Sequence, residues 1–248
     1  MPWYSRLGRK IFQPFSVKNA NKIVAVSHAT ESEIKHYYEK EPNLVINPQV
    51  DKRYAICDKQ EILRILDKYE LKSYLLVLGT LEPRKNLVAL LQAYLSVIGQ
   101  GYNLPMLVLA GGKGWLEGEL PELVAKGEQL GVVKKLGFVV ADDMQALYAG
   151  AEVFILPSLY EGFGMPVLEA QLCGCPVLIS DIPSLNEASG GIACKFEPTI
   201  KGIAGTLIKL SKNQLPLVCR LPCTSQNDSV QAARKMLSLI DDLDRVAK

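Results

Sequence analysis

Glu161 and Glu169 stand eight residues apart in PSLYEGFGMPVLEAQLCGCPVL, residues 157 to 178, around a Gly-Phe-Gly turn and between two apolar runs. The turn opens a helix. Pro166 falls just inside its start and Gly174 just past its end, the usual placement of these residues around a short helix. Glu161 therefore precedes the helix and Glu169 lies about one turn inside it, so the two carboxylates straddle a helix amino terminus. Free amides from Phe163, Gly164 and Met165, following Gly162, suit an anionic group there. The carboxylates suit hydroxyls, vicinal ones on a ribose or a sugar included. The plainer alternative is that Glu169 complements the helix dipole, worth about 0.3 to 1 kcal/mol, while Glu161 is solvated.

A second group lies in GTLEPRKNL, residues 79 to 87. Gly79 at a strand end permits close backbone approach beside Thr80, and Arg84 and Lys85 arrive as the next helix begins, where amides and dipole favour an anion. These features make a phosphate site, against the alternative of ordinary surface cations. In AGGKGW, residues 110 to 115, Lys113 and Trp115 flank what reads as a tight turn. No G-x-G-x-x-G opens a helix and no G-x-x-x-x-G-K-[ST] occurs, which disfavours the usual dinucleotide-binding and P-loop chemistries.

The elements that position these residues follow from a repeated alternation. KIVAVS, YLLVLGT, MLVLAGG, KKLGFV, VFILPS and CPVLIS read as strands. Helical patterns follow them at 28–40, 86–98, 116–130, 142–149, 164–173 and 182–189. Strands apolar on both faces, alternating with helices, mean a parallel sheet covered on two sides. The expected fold is a doubly wound α/β domain over residues 51–212, whose ligands bind at the carboxyl edge of the sheet. Residues 1–50 supply a helix, one strand, another helix and the run LVINP, too little to close a second sheet. Residues 212–227 show no period, and an amphipathic helix follows at 228–246.

Composition narrows the partners. The 248 residues are 48% hydrophobic and carry 28 basic against 26 acidic side chains, with none of the basic footprint of a nucleic-acid binder. Arg6, Arg9, Lys10, Lys18 and Lys22 form a local acid-free stretch that fits either anionic lipid or a solvated helix face. No apolar run reaches the roughly 18 to 20 residues that span a bilayer. The expectation is a cytoplasmic protein, peripheral at the inner membrane face if the basic stretch meets lipid. Cys57, Cys173, Cys175, Cys194, Cys219 and Cys223 are scattered, and His28 and His36 lack ligand spacing for zinc, so no metal is expected.

The glutamate motif, with GTLEPRKNL upstream and ISDIPSLNEASGGIACKFEP downstream, resembles the retaining glycosyltransferases of the GT-B fold, family four or group 1, over residues 20–210. The resemblance implies the Rossmann-like carboxyl-terminal half of that fold. Residues 1–50 are then the last elements of an amino-terminal acceptor domain, 51–212 the nucleotide-sugar-binding domain, and 213–248 an irregular segment with a closing helix. It implies a nucleoside diphosphate sugar as donor, an acceptor glycan or glycolipid, retention of configuration and no cofactor. Glu161 lies near the transferred sugar, the backbone from Phe163 to Met165 cradles sugar and phosphate, and Glu169 meets the ribose. Lys85 matches the phosphate-binding lysine, and the base packs near Gly137-Phe138-Val139. Thr80 stands where many members carry an arginine, with Arg84 as the compensating cation. The open alternative is a non-catalytic module, half of a split enzyme with a separate amino-terminal-domain partner or a remnant. A nucleotide-sugar epimerase is disfavoured, because its catalytic acids and histidines are not recognisable.

Overall fold

A computed structural model describes residues 12–80, 82–112, 118–218 and 228–246. Arg6, Arg9, Lys10, Lys113, Trp115, Cys219 and Cys223 lie outside the described residues. The chain forms two compact units, Met1–Gln49 with Cys223–Lys248, and Val50–Pro222. In the first unit, helix α1 (12–19) precedes β1 (Val24–Ala25), α2 (His28–Tyr38) and β2 (Leu44–Val45). The strands β1 and β2 pair in parallel, and α10 (Asp228–Val246) belongs to the same unit. Ser27 caps α2 by accepting from the Thr30 amide, a typical serine N-cap.

The second unit carries one parallel sheet of six strands. The strands are β3 (Tyr74–Leu78), β4 (Met106–Ala110), β5 (Val133–Gly137), β6 (Val153–Leu156), β7 (Val177–Ser180) and β8 (Cys194–Phe196). Their order across the sheet is β5-β4-β3-β6-β7-β8. The chain thus starts centrally, runs outward to β5, returns to pair β6 with β3, and continues to the other edge. Period-two alternation sends successive side chains to opposite faces. Tyr74, Leu76, Val108, Phe154 and Ile179 enter one core cluster, while Leu75, Val77, Leu107, Ile155 and Leu178 enter the other. Both faces are therefore buried, as the continuous apolar runs require.

The intervening helices are α3 (Lys59–Lys68), α4 (Leu87–Gly99), α5 (Leu120–Gln129), α6 (Ala141–Gly150), α7 (Met165–Leu172), α8 (Pro183–Ala188) and α9 (Ile200–Ser211). Helix α3, strand β8 and helix α9 add to the elements anticipated from the sequence. Asp143, buried on α6, accepts from Lys68 Nζ and from the Tyr69 hydroxyl, both at 2.6 Å, and so ties the end of α3 to α6. Among the described residues no helix is long and apolar enough to cross a membrane.

Candidate functional site

Where the strand order reverses, between β3 and β6, the two connecting loops leave the sheet at its carboxyl edge, and a crevice there is the ligand position of open α/β sheets. Gly79 follows β3 with φ +148°, and its amide donates to the Ala110 carbonyl at 3.0 Å. A Cβ on Gly79 would lie 3.1 Å from Lys85 Cε, so the missing side chain leaves room for the lysine stem. Neighbouring Gly111 approaches more closely still: a Cβ there would sit 2.1 Å from the Gly79 carbonyl oxygen. Thr80 is exposed at the start of the loop.

Arg84 and Lys85 stand just ahead of α4, where the sequence has the helix begin. They occupy a separate 3₁₀ turn, Pro83–Lys85, divided from α4 by Asn86 at φ 57°. Asparagine is among the few residues that take this left-handed conformation readily. The turn aims both cations at the loop after β6. Lys85 Nζ donates to Glu161 Oε1 at 2.7 Å and Arg84 Nη1 donates to Glu161 Oε2 at 2.5 Å. Ser158 Oγ, fully buried, also donates to Oε1 at 2.7 Å. The Lys85 and Glu161 side chains are only 10% and 11% exposed, against 38% for Arg84. Burial alone would raise the Glu161 carboxyl, but the charge and hydrogen bond of Lys85, with Ser158 and Arg84, hold it below the ordinary carboxylate value.

Gly162 to Gly164 then make the turn. Gly164, at φ +118°, is the N-cap of α7, and a Cβ there would lie 2.6 Å from Leu185 Cδ2. Both the dihedral and the space demand glycine. Among the described residues the amides of Phe163, Gly164 and Met165 have no hydrogen-bond partner. The Phe163 side chain is buried and Met165 is half-buried. Glu169, five residues into α7, accepts from the Tyr148 hydroxyl at 3.0 Å, and no cation pairs with it among the described residues. Burial raises its carboxyl above the ordinary value, and the Tyr148 hydrogen bond only partly offsets that.

Val139, expected near a ligand base, packs its side chain into the core, and Phe138 beside it is 80% exposed. The structure thus brings Gly79, Arg84, Lys85 and Glu161 together, with Glu169 on the helix that follows. Sequence reasoning missed Ser158 and Tyr148. A serine three residues before Glu161 is a readable hint, whereas Tyr148 reaches Glu169 across 21 residues and leaves no local signal. Among the described residues no group of three or more His, Cys, Asp or Glu side chains is placed to hold a metal.

Residues 58–236 match the family model of the glycosyl transferases, group 1. The chain is 37% identical over 187 residues, 74% of its length, to O-antigen chain mannosyltransferase B of Escherichia coli, covering 49% of that protein. It is 34% identical over 190 residues, 73% of its length, to the serotype-specific mannosyltransferase WbdA of Escherichia coli, covering 23% of it. The chain thus spans about half the length of the first relative and under a quarter of the second. Anabaena Alr3699/HepE, solved in complex with UDP and glucose, superposes with a TM-score of 0.68 at 18% identity, over 98% of this chain and 67% of that one. At that identity the likeness shows the fold alone.

Proposed function

The chain belongs to the group 1 glycosyl transferases, and from that premise we propose that Val50–Pro222 binds a nucleoside diphosphate sugar and passes the sugar, with retained configuration, to an acceptor hydroxyl. The mannosyltransferases among its relatives support an activated mannose as donor and a polysaccharide or glycolipid as acceptor. The acceptor side is assigned to a further domain, in the same or a partner polypeptide, since the matched part of this chain covers 49% of the first relative and 23% of the second.

The observation that carries this reading is the convergence of Lys85, Arg84 and Ser158 on Glu161 beside unpartnered helix-start amides at the sheet's switch point. Breaking the bond between sugar and diphosphate builds negative charge on the leaving group. Lys85 has three N–H donors and spends one on Glu161, so two remain for phosphate oxygens. With Arg84 and the amides of Phe163 to Met165 it stabilises that charge without reorganising at the moment of reaction. Glu161, both of whose oxygens already accept hydrogen bonds, is a poor nucleophile and a good electrostatic partner. Its role is to orient the sugar and stabilise positive charge at the anomeric carbon. Glu169 meets the ribose hydroxyls, and the exposed Phe138 offers a face for the base.

Isothermal calorimetry of the chain against GDP, UDP and their mannose and glucose conjugates tests the reading. At least one diphosphate is expected to bind in the micromolar to millimolar range. No heat with any of them at millimolar concentration overturns it.

A further inference from the structure

We propose that Tyr148 is a positioning residue for donor recognition: its phenol fixes one oxygen of Glu169 so that the other is held available for the paired hydroxyls of a ribose. The inference rests on the reading of Glu169 given above.

Tyr74, Tyr94 and Tyr148 are the fully buried tyrosines among the described residues, and their hydroxyls have different partners. Tyr74 donates to the Leu147 carbonyl at 2.6 Å, and Tyr94 lies 2.8 and 3.0 Å from the carbonyls of Pro105 and Val132. Those bonds fasten backbone to core. Tyr148 instead donates to an ionisable side chain, Glu169 Oε2. Its ring is held edge-on by Phe154, with centroids 5.3 Å apart, and by Tyr54 at 6.0 Å. A side chain with two rotatable bonds, locked by aromatic contacts, places its one polar atom with little freedom. A core at this point has no need of a hydroxyl, since burying a phenol costs free energy unless it is bonded.

The carboxylate end completes the picture. Glu169 Oε1 has no partner among the described residues and keeps contact with solvent, unlike the buried unpartnered atoms Gln171 Oε1, Ser180 Oγ and Asn186 Oδ1. One oxygen is thus tethered and the other open. Glu169 also has no cation to keep it ionised, so the phenol is the group that opposes the effect of its burial. Removing the hydroxyl frees the rotamer and makes protonation easier, and both changes weaken an acceptor meant for a diol.

The test uses the 248-residue chain and calorimetry with GDP, UDP, their 2′,3′-dideoxy forms and inorganic pyrophosphate. Glu169→Gln is expected to shrink the preference for the diol nucleotide over its dideoxy form. Tyr148→Phe should shrink the same preference by about fivefold, the worth of roughly one hydrogen bond, leave pyrophosphate affinity unchanged, and move the acid limb of nucleotide binding to higher pH. Should the phenylalanine variant fail to fold, 3,5-difluorotyrosine at position 148, a stronger donor of nearly the same shape, should move that limb to lower pH. Parent-like diol preference and acid limb in the Tyr148 variants, with the preference lost in Glu169→Gln, overturn the positioning role alone. A diol preference that survives Glu169→Gln, or no binding of either diphosphate, overturns the underlying reading and this inference with it.

Discussion

Two carboxylates on either side of one glycine turn sit in opposite electrostatic surroundings. Glu161 lies among a nearly buried lysine, an arginine and a serine hydroxyl, and its carboxyl is held below the ordinary range. Glu169 lies on the next helix against a single phenol, without a cation among the described residues, and its carboxyl is raised by burial. The first is a charge the fold has already neutralised; the second is a charge the fold tolerates at a cost. The difference teaches that matching residue types in one motif need not do matching work. Both oxygens of Glu161 are satisfied within the fold, whereas Glu169 keeps one oxygen without a partner among the described residues.

The largest expected effect comes from removing the buried cation. Lys85→Ala leaves Glu161 with Ser158 and the more exposed Arg84, and should destabilise the chain towards the lower end of the roughly 3 to 5 kcal/mol seen when a buried pair loses one partner. Urea unfolding measures it. The same variant should lose affinity for diphosphates more than for nucleosides. A neutral result would mean that Glu161 is not held by Lys85, and the contrast with Glu169 would collapse.

A pH series sharpens the contrast, because the two glutamates have shifts of opposite sign. The lowered Glu161 carboxyl contributes stability that is fully present above the unfolded value of about 4.3 and is lost as pH falls through its lower folded value. The parent should therefore be more stable than Glu161→Gln at neutral pH, and the gap should close in acid. Glu169 runs the other way: its contribution is present below about 4.3 and lost as pH rises through the raised folded value. Glu169→Gln, which keeps an acceptor for Tyr148, should be more stable than the parent by about 1 kcal/mol at neutral pH, the usual exchange of function for stability at a binding site. Thermal melts from pH 3 to 8 on the three proteins give both curves. If the two variants deviate from the parent in the same direction, the surroundings are not opposite.

Much of this is legible in the sequence, and what is not has physical reasons. YLLVL, MLVLA, VFIL and VLIS announce themselves because a strand buried on both faces needs unbroken apolar sequence. KQEILRILDK announces itself less clearly, since Ile65 is its one fully buried residue, Leu66 is only partly buried against the same core, and its polar tie to Asp143 lies 75 residues away in sequence. CKF, with three residues, is too short to carry a period. The glutamates, the cations and the glycine turn were readable as types and spacings. Their pairing was not, because Lys85 and Arg84 reach Glu161 over 76 and 77 residues, and only the return of β6 to the side of β3 closes that distance. The division of the 3₁₀ turn from α4 could have been suspected from Asn86, a residue at home in left-handed backbone.

The smallest effect separates the two cations that share Glu161. Arg84 is 38% exposed, and solvent screens a pair of that kind to about 0 to 1 kcal/mol. Its backbone role survives substitution, since the Leu159 amide donates to the Arg84 carbonyl at 2.9 Å whatever the side chain. The loss in Arg84→Gln is confined to the bonds from Nη1 to Glu161 Oε2 and to the Tyr160 carbonyl, and to the exposed 3.6 Å ion pair of Nη2 with Glu82. Unfolding of this variant should therefore differ from the parent by under about 1 kcal/mol and converge with it in molar salt, where the Debye length falls to about 3 Å. The Lys85→Ala deficit should persist there, because burial keeps counter-ions out. Equal deficits for the two variants, with equal loss in salt, would show the carboxylate to be held jointly by two solvated cations, and Glu161 would then be no more embedded in the fold than Glu169.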